Sequence, residues 1–125
     1  MPPIQVRAGS GAPEFVLGDR FGASCNGSLV AAAFACLNEG GRAAAHNRPY
    51  SGGYALERHA APDSGLHALQ LEIDRSVYLD SRLAEPGEGF AEVVDVLVAL
   101  IRRLAAEAGF LGDCGGDSRW PEAAE

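Results

Sequence analysis

LHALQLEI, residues 66–73, sets Leu69, Leu71 and Ile73 alternately with Ala68, Gln70 and Glu72. A period of two is the mark of a strand with one face on an apolar core. The other face of this one carries Glu72. Upstream, EFVLG at residues 14–18 is a short apolar run bounded by turn residues, which reads as a buried strand. Asp19 to Asn26 is a polar, glycine-containing turn. From Gly27 to Glu39, Leu29, Val30, Ala33, Phe34 and Leu37 recur at helical spacing, with Asn26 as N-cap and Gly40-Gly41 as stop. A short strand is expected within Arg42 to His46. NRPYSGGY, residues 47–54, reads as a loop, because Pro49 and Gly52-Gly53 oppose regular structure. After a second loop, Asp80 to Gly89, an amphipathic helix is expected from Phe90 to near Gly109. Val93, Val94, Leu97, Leu100, Ile101 and Leu104 hold a three-and-four spacing there.

Strands alternating with helices predict an α/β layer with some parallel pairing. The expected organisation is an extended lead at 1–13, an α/β domain at 14–109 and a disordered tail at 110–125, in which Trp120 lies exposed. Three strands and two long helices form a thin sandwich that leaves an edge or face uncovered. Incompleteness is therefore expected from organisation alone.

At 125 residues the chain holds one domain at most, and 47% hydrophobic residues suffice for a modest core. A net charge of -7 argues against a general nucleic-acid binder, which needs an excess of Lys and Arg over a continuous face. An anionic ligand must meet a local arginine cluster. Cys25, Cys36 and Cys114 are odd in number and widely spaced, which suggests neither a disulfide framework nor a zinc ribbon and fits a reducing cytoplasm. No apolar stretch approaches the roughly 20 residues needed to span a bilayer, and MPPIQVRAG lacks the order of a signal peptide. No membrane partner is expected.

Residues 47–59 gather Asn47, Arg48, Tyr50, Tyr54, Arg58 and His59 around two glycines. Planar donors and aromatics in one loop suit a small carboxylate, since arginine forks match it with two hydrogen bonds. Equally, the arginines can be solvated surface residues and the tyrosines packing residues. Glu72 stands between Leu71 and Ile73, where a carboxylate is costly unless it faces a cleft, pairs or binds something. Partial desolvation there would suit a general base; pairing with Arg75 or a loop arginine is the structural alternative. Asp74 and Arg75 close the strand, a usual place for ligand contacts in open α/β sheets. His46, His59 and His67 show no ligand spacing, so no metal site is expected within this chain. Cys25 precedes a helix whose dipole could depress its pKa, but no general-base partner is apparent.

VLGDRFGASC, NRPYSGGYALERHAAP and HALQLEIDRSVYLD together resemble, in order and spacing, the C-terminal section of the N-formylglutamate amidohydrolase family. The resemblance runs from about Phe15 to Ala108. It implies a partial three-layer α/β sandwich with a mixed sheet, similar to the C-terminal part of a zinc-exopeptidase-like (phosphorylase/hydrolase-like) fold. The implied activity is hydrolysis of N-formyl-L-glutamate to glutamate and formate, a step of histidine breakdown. The implied small-molecule partner, an N-acyl acidic amino acid, has two carboxylates and suits the arginine-bearing loop.

Zinc is the cofactor the family implies, held by residues of its N-terminal half. The last of these, a histidine-serine pair, lies immediately before a Met-Pro like Met1-Pro2. The resemblance thus implies a truncated gene, an internal start or a fragment, inactive alone and dependent on the missing N-terminal half or prone to self-association. Glu72 takes the place of the family's catalytic glutamate, which would activate a metal-bound water and pass its proton to the leaving amine. Asn47, Arg48, Tyr50, Tyr54 and Arg58 would hold the carboxylates or polarise the carbonyl, with His59 a further member. A noncatalytic module that binds a small carboxylate, or serves assembly, is the contrasting expectation.

Overall fold

The computed structural model describes residues 13–114. Three strands, β1 (Phe15–Gly18), β2 (Ala44–His46) and β3 (Gln70–Ile73), form one sheet in the order β2-β1-β3. β2 runs parallel to β1, with Phe15 opposite Ala44. β3 runs antiparallel to it, with Val16 opposite Glu72 and Gly18 opposite Gln70. The sheet is therefore mixed, and the α/β class expected from the sequence is the class observed. The parallel pair requires a crossover, which α1 (Gly27–Glu39) supplies.

α1 begins where the sequence places it. The Asn26 side chain accepts the Ser28 N–H at 2.8 Å, and the Asn26 N–H donates to His67 Nδ1 at 3.0 Å. Leu29, Ala33, Cys36 and Leu37 are buried. Phe15 and Leu17 of β1 meet Ala33, Cys36, Leu37 and Leu100 in the main core, and Leu69, Leu71 and Ile73 pack against the same cluster. Burying a side chain such as Phe15 contributes about 1.5–3 kcal/mol. α3 (Phe90–Cys114) lies beside α1 on this face of the sheet. Arg42 ties the assembly at one edge, with Nη1 3.2 Å from Glu14 Oε2 and Nη2 3.3 Å from Glu92 Oε2.

Four expectations need correction. Residues 54–59 are not loop: Tyr54–His59 forms a short helix, α2, with Gly53 as N-cap and Leu56 buried beneath it. The two glycines end the irregular segment and leave the next residues free to coil. The strand expected over 66–73 is shorter, because Pro62–Ser64 makes a 3-10 turn and Ala61 bridges Leu66. α3 continues five residues past Gly109 and through Gly112, since each glycine in a helix costs only about 1 kcal/mol. The first five residues assigned to the tail are thus helical; the rest, with Trp120 and residues 1–12 of the lead, lie outside the described residues. Among the described residues no helix is long and apolar enough to cross a membrane.

Candidate active site

Because β1 and β2 are parallel, their C-terminal ends emerge side by side, the position at which open α/β sheets hold ligands. The turn after β1 is unusual. Arg20, Phe21 and Gly22 have φ of 51°, 55° and 92°, two of them left-handed without being glycine. Asn47, first after β2, has φ 64°. Such conformations persist only where surrounding contacts enforce them, and they cluster at functional sites.

Asp19 supplies those contacts. It is buried, and its Oδ1 accepts Asn47 Nδ2 at 2.8 Å and lies 2.9 Å from His46 Nε2. Its backbone N–H donates to Asn47 Oδ1 at 2.9 Å, and the Asn47 N–H donates to Leu17 O at 2.8 Å. Burial pushes the carboxyl upward, but bonds from Asn47, His46 and the Gly22 N–H, with the charge of His46, outweigh it and hold the pKa below 3.8. The two strand ends are locked together by one carboxylate. Sequence reasoning missed it; the available signal was an Asp directly following a fully apolar run.

The segment after Asn47 then folds over the sheet. The N–H of Arg20 donates to Ser51 O at 2.8 Å. A Cβ at Gly18 would meet Ser51 backbone atoms at 2.7 Å, so only glycine admits this approach. Gly18 points away from the face of Leu17, so the segment covers the side opposite α1 and α3. There the Gly53 N–H donates to Gln70 Oε1 at 3.3 Å. Gln70 and Glu72 share that face, two residues apart on β3. The carboxylate and the start of α2 therefore stand on one side of the sheet.

Arg48 is exposed, with its guanidinium 5.3 Å from the centroid of the Phe21 ring. Tyr50 is half-buried. Tyr54 and Arg58, one helical turn apart on α2, both face outward while Leu56 anchors the opposite side. The segment bearing Asn47, Arg48, Tyr50 and Tyr54 runs from the strand ends past Gly18 to Gln70. His59 does not join them. It lines a cavity of about 590 Å³ with Cys25, Leu29, Leu69 and Leu104, on the helix-covered side. Asp74 and Arg75 are likewise remote from the parallel strand ends, because the antiparallel β3 carries its C-terminus the other way. Asp74 instead caps a 3-10 turn through Ser76. At Cys25, burial first, then the charge of Asp19, raises the pKa to about 11, opposite in direction to what a helix N-terminus alone would do.

A family model described as N-formylglutamate amidohydrolase matches residues 1–79. The N-formylglutamate deformylase of Pseudomonas aeruginosa is 32% identical over 93 residues, 74% of this chain. The crystal structure of N-formylglutamate amidohydrolase from Ralstonia eutropha JMP134 matches with a TM-score of 0.72 and 29% identity, over 90% of this chain and 41% of that one. The chain spans 34% of the length of the curated relative it matches.

Proposed function

The chain belongs to the N-formylglutamate amidohydrolase family, and on that premise we propose that it is the C-terminal portion of a hydrolase that splits N-formyl-L-glutamate into glutamate and formate. One observation carries this reading. Glu72 shares a sheet face with Gln70, whose side chain accepts the N–H of Gly53 at the N-cap of α2, so the carboxylate lies on the side of the sheet to which the segment bearing Arg48, Tyr50, Tyr54 and Arg58 is tied. In this reading Glu72 takes the proton of the attacking water and returns it to the leaving amine. Arg48 and Arg58 hold the two substrate carboxylates, while Tyr50 and Tyr54 orient the acyl group. Asn47 serves as a positioning residue, since both ends of its amide are bound to Asp19.

The family implies zinc, but the residues described here do not fit it: no three His, Cys, Asp or Glu converge among them. No step through zinc is assigned to them. The partner proposed for turnover is an N-terminal half of the family kind, and the isolated chain is proposed to be inactive. The three strands would then be the C-terminal part of a larger zinc-exopeptidase-like sheet.

The test joins the chain to an N-terminal half from a family member. Glu72→Gln is expected to lower kcat about a hundredfold to ten-thousandfold with little change in affinity. Arg48→Ala or Arg58→Ala is expected mainly to raise KM, as for binding shared by ground and transition states. A Glu72→Gln hybrid that turns over at the parent rate would refute the assignment.

A further inference from the structure

α3 carries two apolar stripes. Val96, Leu100 and Leu104 face the core, and Val93 is buried beside them. Roughly a third of a turn away, at about 100° per residue, stand Ala91, Val94, Val98, Ile101, Ala105 and Ala108. They follow one another at alternating spacings of three and four, the repeat of a coiled-coil seam. All six are exposed, Ile101 at 67%, Val94 at 41% and Val98 at 40%. The stripe runs about 26 Å along the helix.

We propose that this seam joins two copies of the chain, antiparallel about a two-fold axis. The order of side-chain sizes suits reversal. With the axis between Val98 and Ile101, each Ile101 meets Val98 of the other copy. Val94 then meets Ala105 and Ala91 meets Ala108, so bulk lies at the centre and the ends approach closely. Charge suits it as well. Asp95 and Arg102, both exposed, occupy one shoulder of the seam seven residues apart. Antiparallel copies bring Asp95 of each opposite Arg102 of the other, giving two symmetric ion pairs. A parallel pair would instead set this shoulder against Leu97 and Leu104 on the other.

The cavity provides a third fit. Leu104, Ala105 and Ala108 of α3 form one of its walls. Reversal brings Phe90 of the second copy, 43% exposed, to that end of the seam, next to Ala108 and Leu111. None of these residues lies on the Glu72 face, so the proposal stands apart from the hydrolase reading.

Sedimentation equilibrium of the full 125-residue chain is expected to give twice its 13.0 kDa mass at micromolar concentrations. Ile101→Glu is expected to weaken association at least about tenfold while leaving the helical circular dichroism unchanged. Asp95→Arg and Arg102→Asp should each weaken it, and the double exchange should restore it. A monomer throughout the micromolar range would overturn the proposal. So would association indifferent to Ile101→Glu, failure of the double exchange to recover, or a chain that pairs only with a family N-terminal half. Should Ile101→Glu fail to fold, the charge exchange decides alone.

Discussion

Asp19 collects bonds from Asn47 and His46, so its removal acts on more than itself. Asp19→Ala leaves Asn47 Nδ2 buried and unpaired, a loss of about 1–3 kcal/mol in unfolding free energy. Because the folded carboxyl lies below 3.8, its contribution is complete above about pH 4 and disappears as acid titrates it through the folded value. The difference in melting temperature between parent and Asp19→Ala is therefore expected to hold at neutral pH and narrow below about pH 4. A difference that widens in acid would contradict the assigned network. Residue-level reading of the sequence put Glu72 on the face away from Leu71 and Ile73, because strand alternation marks any charge in an apolar run. It failed for Asp19, whose partners His46 and Asn47 are 27 and 28 positions away and share no local pattern with it.

Among the elements, α1 and α3 were legible because burial of one helical face imposes a 3.6-residue period, and the cap at Asn26 is a local hydrogen bond. α2 was not, since six residues hold too few repeats for a period and Pro49 with Gly52-Gly53 dominates the local signal. The direction of β3 was also hidden: alternation fixes which residues share a face, never which way the strand runs. The junction between β1 and the segment ahead of α2 depends on a missing side chain. Gly18→Ala would force a Cβ to 2.7 Å from Ser51 carbon and oxygen. The expected cost is about 1–3 kcal/mol, read by urea unfolding, with altered proteolytic sensitivity near residues 50–54. Unchanged stability would mean that the segment lies further from the sheet.

At the scale of the molecule, β2 and β3 are the outer strands of the sheet among the described residues, and a sheet edge is an unsatisfied hydrogen-bonding surface. A family N-terminal half joined to this chain is expected to cover such an edge and raise the melting temperature, by about 2–8 °C for each kcal/mol gained. A hybrid melting no higher than the chain alone would count against that pairing. A thin sheet was legible from the count of three strands, whereas the second apolar stripe of α3 was not, because Val94 and Ile101 read as members of one broad apolar face until packing separated two. The strand order has a further consequence, for synthesis. Of the three described strands, β1 lies at the centre of the sheet yet is translated before both its neighbours. At ordinary elongation rates about 3–11 s separate Gly18 from Ile73, during which no described strand completes the second edge of FVLG. The nascent chain therefore passes through an interval in which its most apolar strand is open to chaperones, or to the same strand on a neighbouring ribosome.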